Sequence, residues 1–249
     1  MREDMMHLGR DAHSHREGID LESLDRLLRG RYGNLKGWWP AETPFEVCIG
    51  AILVQNTTWK NVVKAIANLK QYGVVTPKAL ASLEQRDIER LVRPSGTYRQ
   101  KARTLALFSL FLETELKGDI MQLSQYPVDA ARKMLTAIKG IGEETADAML
   151  LYACRMPAFV ADSYSRRILG RLGLLGHGST YAAARTYVEG CMGRSAASYA
   201  RLHALLIEFG KEFCRSRPLC AECFLLQACP FGRNSSEKKQ WISEDKHEK

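Results

Sequence analysis

The sequence predicts an all-α protein. Apolar residues recur at helical spacing through most of the chain, and capping residues stand where those runs begin. No alternating apolar and polar run is flanked by hairpin turns. Asp20 is placed to cap a helix whose stripe is Leu21, Leu24, Leu27 and Leu28. Phe45 to Val54 is apolar apart from Glu46, the pattern of a central buried helix. A helix is expected near 59–71, and Thr76-Pro77 has the cap-then-proline form of another start. Further helices are expected near 85–92, 98–116, 127–137, 143–154, 163–173, 180–190 and 196–211. No repeat of 20–50 residues is present, which argues against a solenoid. Residues 1–18 and 233–249 are charged and poor in apolar side chains, so both ends are expected to be disordered. His7, His13 and His15 are too irregularly spaced there to suggest a metal site.

The chain has 249 residues, enough for one large domain or two small ones, and 45% are hydrophobic. Lys plus Arg number 36 against 28 Asp plus Glu, a net charge of +8. Such an excess favours a polyanionic partner, nucleic acid above all, although solubility alone also accounts for it. Seven cysteines, an odd number, argue against a secreted disulfide framework. No run approaches 18 apolar residues, so no signal peptide or membrane span is expected, and the protein reads as cytoplasmic.

Four of the cysteines form Cys214-x5-Cys220-x2-Cys223-x5-Cys229, four thiols within sixteen residues. Zinc and an iron–sulfur cube both accept four cysteine ligands. Zinc sites usually repeat a Cys-x2-Cys knuckle, and only one such pair is present. Cys48, Cys154 and Cys191 read as small buried residues. Upstream, Lys139-Gly140-Ile141-Gly142-Glu143 is a tight turn between two helical segments. Its glycines permit close approach to another surface, and the amides after it open a helix suited to a phosphate oxygen. An ordinary interhelical turn is the alternative. Asp162 precedes a helix and could serve only as its cap. Trp38-Trp39-Pro40, Phe45 and Trp59 crowd into a short stretch, where each could be core or together could sandwich a base.

Taken in order, these motifs resemble the endonuclease III superfamily of helix-hairpin-helix glycosylases. The segments Gly50-Ala-Ile-Leu-Val-Gln-Asn-Thr57 and Arg93-Pro-Ser-Gly-Thr-Tyr-Arg-Gln-Lys-Ala102 strengthen the likeness, which spans roughly residues 20–230. The resemblance implies two helical lobes, a six-helix barrel over 37–155 and a second lobe from 19–36 plus 156–232, with double-stranded DNA across the cleft and a monomeric enzyme. It implies that Asp162 serves the chemistry, stabilising positive charge on the sugar or activating water. It assigns Lys139, Gly140, Ile141 and Gly142 to DNA binding, Gln55 to the wedge that replaces a flipped base, and Thr97 and Tyr98 to a second inserting loop.

Bifunctional members carry a lysine before a Thr-Ala pair, and that amine attacks the sugar to form a Schiff base. Here Glu144 precedes Thr145-Ala146, so a monofunctional glycosylase using water is expected. Trp38, Trp39, Pro40, Phe45, Trp59 and Lys211 resemble the base pocket of the 3-methyladenine (type III) branch. Lys211 reads equally well as a solvated helix-end lysine. The four cysteines resemble the family's [4Fe–4S] loop with the first gap one residue shorter. Alternative readings are a glycosylase for uracil or thymine mispairs or oxidised bases, with or without lyase activity, and a non-catalytic DNA-binding iron–sulfur protein.

Overall fold

The computed structural model describes residues 18–35, 37–176 and 178–234. Both expected disordered tails, with His7, His13 and His15, lie outside them except for Gly18, Arg233 and Asn234.

Asp20 and Thr76, read from the sequence as caps, do start helices, and Thr43 proves to be a third. Asp20 accepts the Ser23 amide at 2.7 Å and opens α1 (Leu21–Tyr32). Thr43 accepts the Glu46 amide ahead of α2 (Pro44–Leu53), with Pro44 in the first turn, where its missing N–H costs nothing. Thr76 does the same for α4 (Pro77–Ala81), which follows α3 (Trp59–Gln71). Then come α5 (Gln85–Val92), α6 (Tyr98–Glu115) and α7 (Val128–Thr136). Beyond the hairpin turn lie α8 (Glu143–Ala148), α9 (Ser163–Arg171), α10 (Tyr181–Cys191) and α11 (Ala196–Glu212). Among the described residues there is no strand, and no helix is long and apolar enough to cross a membrane.

Two features differ from the periodicity reading. The helix expected over 143–154 keeps α geometry only to Ala148, then loosens into a π turn over Met149–Ala153. Such turns shift the register of the face that follows and are frequent at functional sites. Short 3-10 turns at Arg93–Ser95, Ile120–Gln125, Cys220–Glu222 and Leu226–Ala228 were not anticipated, because three to six residues carry no periodic signal.

Helix α2 is the hub of the larger group of helices. Every residue from Phe45 to Leu53 is buried, and the helix packs against α3, α6, α8 and the π turn. A second group brings α1 against α10 and α11, and α9 against the same two. Helix α11 also touches the π turn, which joins the groups next to the aromatic residues. A buried ionic brace joins them again. Asp147 of α8 is fully buried and accepts from Arg132 Nε of α7 at 2.6 Å, from Tyr181 Oη at 2.8 Å and from Arg185 at 3.2 Å, the last two on α10. Arg132 also pairs with Asp129 in its own helix.

Candidate active site and nucleic-acid interface

The hairpin turn is fixed by a close approach that only glycine permits. Gly140 has φ +97°, and a Cβ there would lie 2.0 Å from Thr104 Oγ1 of α6. The same hydroxyl lies 3.2 Å from the Lys139 carbonyl and 3.1 Å from the Gln100 carbonyl of its own helix, so it shares its one hydrogen between the turn and α6. Lys139 and Gly142 are exposed, as a phosphate-facing turn requires. Ile141 corrects the sequence reading in part. Its side chain is buried and its amide bonds the Ile138 carbonyl, so it anchors the turn from within. Beside it Arg99, Arg103 and Lys139 share one cleft with Gln85 and Glu89.

Gln55, just past α2, donates through its amide to the Gly140 carbonyl at 3.2 Å and to Thr145 Oγ1 at 3.0 Å. The wedge candidate is therefore held against the hairpin, half-buried. Asn56 beside it takes the left-handed conformation (φ 53°), as does Thr97 (φ 40°) at the start of α6. For residues other than glycine this costs of the order of 1–3 kcal/mol each and is usually retained for function. Tyr98 packs partly against the core. Beneath both loops Lys101, almost wholly buried, donates to the Leu53 carbonyl at 2.9 Å and the Ser95 carbonyl at 2.6 Å.

Asp162 caps α9, its Oδ1 accepting the Ser165 amide at 2.8 Å, and it is buried except for a small opening. Its Oδ2 lies 3.8 Å from His203 Nε2. Glu144 stands in the first turn of α8. Desolvation pushes its carboxyl above the ordinary range; the Asp162 charge adds to this, and Arg166 opposes it. The two carboxylates are therefore near enough for one to feel the other's charge.

Four aromatic rings gather beside this centre. Trp39 meets Trp59 edge-on at 5.4 Å and lies tilted over Tyr152 at 4.9 Å, while Trp38 stands 6.2 Å from Tyr152 and 5.8 Å from His203. Gly50 makes room for the indoles, since a Cβ there would approach Trp39 and Trp59 to 3.3–3.4 Å. Trp38 Nε1 donates to Glu208 at 2.8 Å. Lys211 pairs with the same oxygen at 2.8 Å and lies over the Trp38 ring at 5.7 Å, placing this lysine at the rim of the cluster. A cleft of about 720 Å³ opens against Trp38, Trp39 and Tyr152. Asp162, Gln55 and Trp59 do not line it, so the carboxylate lies outside that cleft. Pro40 is exposed. Phe45 does not belong to the cluster. It stacks on Phe108 in the core at 6.1 Å, because α2 is buried on all sides.

The four cysteines line one small apolar cavity with Ile168, Leu172, Phe209 and Leu225. Arg171 of α9 donates to Cys214 Sγ at 3.3 Å, and the Gly232 amide to Cys229 Sγ at 3.3 Å. Arg167 and Arg171 also hold the loop through the carbonyls of Cys214, Arg215 and Ser216. Burial pushes the Cys223 thiol up to about 11, and the neighbouring cysteines add to it. A bound metal centre reverses that preference for the neutral thiol. Among the described residues no group of three or more His, Cys, Asp or Glu is placed to hold a single metal ion. One zinc ion would draw all four sulfurs to about 2.3 Å from a single centre. A [4Fe–4S] cube also takes four thiolates, one at each iron.

Tyr152, His203, Glu208 and Lys101 escaped the sequence reading. Lys101 did lie inside a quoted segment, Arg93 to Ala102. His203 sits in the long apolar run of α11, where a lone histidine gives no signal of its own.

A model of the helix-hairpin-helix superfamily of base excision DNA repair proteins matches residues 49–191. A Methanocaldococcus jannaschii protein named as a candidate DNA repair glycosylase is 36% identical over 82% of this chain and 93% of its own. Endonuclease III of Sulfolobus acidocaldarius is 31% identical over 75% of this chain and 82% of its own. The solved H. pylori 3-methyladenine DNA glycosylase bound to 1,N6-ethenoadenine superposes with a TM-score of 0.69 at 30% identity, covering 78% of this chain and 98% of that one. With its hairpin, its capped carboxylate and its aromatic cluster in place, the chain belongs to the helix-hairpin-helix superfamily of base excision DNA repair glycosylases.

Proposed function

We propose that the protein excises alkylated purines such as 3-methyladenine from duplex DNA by hydrolysis and leaves the abasic strand uncut. The observation that carries this reading is the cluster of Trp38, Trp39, Trp59 and Tyr152 beside Asp162, with Glu144 where a lyase needs an amine. An N3- or N7-alkylated purine is cationic, and stacking against electron-rich rings contributes about 2 kcal/mol when desolvated. The same charge makes the base a good leaving group, so the C1′–N9 bond breaks with its electron pair going to the purine. Asp162 offsets the positive charge left on the sugar or takes the proton from the water that attacks C1′. Cys214, Cys220, Cys223 and Cys229 would hold a [4Fe–4S] cluster that stiffens the loop gripped by Arg167 and Arg171 and presents it to DNA.

Incubating the protein with a panel of lesion-bearing duplexes and separating the released bases tests the substrate assignment. Release of 3-methyladenine from methylated DNA, in preference to uracil, mispaired thymine or oxidised bases, is expected, with strands broken only by later alkali. Release confined to mispairs or oxidised bases would move the assignment to another lesion. Protein prepared without oxygen should be brown with about four irons and four sulfides per chain. Stoichiometric zinc without sulfide would remove the cluster.

A further inference from the structure

We propose that His203 is a positioning residue for Asp162, presenting an Nε2 proton to the carboxylate oxygen that the helix cap leaves open. The proposal rests on the reading of Asp162 as the group that acts on the sugar.

The two oxygens of Asp162 have different surroundings. Oδ1 is committed to the Ser165 amide, while Oδ2 faces His203 Nε2 at 3.8 Å. His203 is only 3% exposed, and its Nε2 is a fully buried polar atom without a hydrogen-bond partner. A buried polar atom left unpaired is costly, and in a native fold it asks for an explanation. Nε2 is aimed at a carboxylate in a family whose chemistry acts on an adjacent sugar.

Which nitrogen carries the proton follows from Tyr152. Its hydroxyl has one hydrogen to give and two acceptors within reach, His203 Nδ1 at 2.7 Å and the Ala200 carbonyl at 3.3 Å. The shorter contact is the stronger claim on that hydrogen. With Tyr152 donating to Nδ1, the neutral ring holds its proton on Nε2, facing the carboxylate. The other tautomer would set a bare lone pair against Oδ2. Burial also lowers the pKa of His203, and the Asp162 charge opposes this only in part, so the ring stays neutral and does not neutralise the carboxylate by forming an ion pair.

At 3.8 Å the Nε2–Oδ2 contact is longer than a hydrogen bond, and a movement of less than about 1 Å would make it one. A neutral donor in that place fixes the direction of the carboxylate's free lone pairs without cancelling its charge. Tyr152 both packs against Trp38 and Trp39 and sets the histidine tautomer. Two side chains therefore connect the aromatic cluster to the carboxylate.

The test is single-turnover base release on methylated duplex DNA, with DNA affinity measured alongside, for D162N, H203L, H203Q and Y152F. H203L should slow release about 10- to 100-fold, the equivalent of one hydrogen bond to a charged group, with affinity held within about twofold. H203Q, whose terminal amide can reach the place of Nε2, should recover most of the rate. Y152F keeps the ring and loses only the hydroxyl, and should slow release by about 3-fold or more. A wild-type rate in H203L, or equal loss in H203L and H203Q, would overturn the proposal. If H203L does not fold, Y152F decides, and a wild-type rate there overturns it. D162N separates the two levels of argument: an active D162N defeats the reading of Asp162 itself, whereas an inactive D162N beside a fully active H203L defeats only the role of His203.

Discussion

Asp147 and Asp162 are both buried carboxylates, fifteen residues apart in sequence, and the protein surrounds them in opposite ways. Asp147 is saturated: two arginines and a tyrosine from α7 and α10 fill its oxygens, and none of its surface reaches solvent. Asp162 has one oxygen spent on a helix cap and the other facing a histidine nitrogen beyond bonding distance, with a small opening to solvent. A carboxylate closed on every side can only hold helices together, whereas one with a free oxygen can act on something that arrives. Burial lifts the Asp147 pKa, a cost that its three donors only partly offset. The saturated site therefore adds little net stability, although removing one partner would leave a charge buried and uncompensated.

The sharpest way to break this comparison is to remove the negative charge from each in turn. D162N should keep the cap, because asparagine caps a helix about as well as aspartate, and its melting temperature should stay near wild type. Its single-turnover base release should fall by about 10³-fold, the scale for losing one preorganised electrostatic group. Near wild-type turnover in D162N would reduce Asp162 to a cap. D147N should show the reverse pattern. Leaving Arg132 buried, and Arg185 half-buried, against a neutral amide should cost about 3–5 kcal/mol of unfolding free energy by denaturant titration. Whatever protein remains folded should release base at close to the normal rate. A stable but inactive D147N would mean that the two sites are not separate.

A smaller effect is expected at the hairpin. A methyl group at Gly140 meets Thr104 Oγ1 and must also tolerate φ +97°, so G140A has to deform the turn or the start of α6. Backbone strain of about 1–3 kcal/mol should appear as weaker binding to undamaged and lesion-bearing duplexes alike, on the proposal that the turn meets phosphates and not bases. A selective loss for damaged DNA would place the hairpin in lesion recognition.

How much of this was legible in the sequence differs between the same two kinds of feature. Caps such as Asp20, Thr43 and Thr76 act within four residues of themselves, so their helices could be read locally. The same locality let Asp162 be found, since it stands at a helix start. Asp147 could not be recognised as a hub, because its partners lie 15, 34 and 38 residues away. His203 reaches Tyr152 across 51 residues, a contact that no spacing rule encodes. Phe45 shows the converse error. Proximity to two tryptophans in sequence suggested the base pocket, whereas the all-round burial of α2 carries it to Phe108.

The last and smallest effect concerns Glu144, which shares the region of Asp162 and stands where a lyase places its amine. Wild-type protein incubated with lesion-bearing DNA and borohydride should give no trapped complex, because imine formation needs a primary amine at the sugar. The other lysines near the site are engaged or displaced. Lys101 is buried on two carbonyls, Lys211 is paired with Glu208, and Lys139 projects from the hairpin turn. E144K should therefore introduce weak trapping, a few per cent of the DNA on a denaturing gel. The new amine would replace a carboxylate that already feels the Asp162 charge. The same charge would hold that amine protonated and so limit the yield. Trapping by the wild-type protein, lost on changing Lys139 or Lys211 to Ala, would show that the amine has moved and that the strand is cut after all.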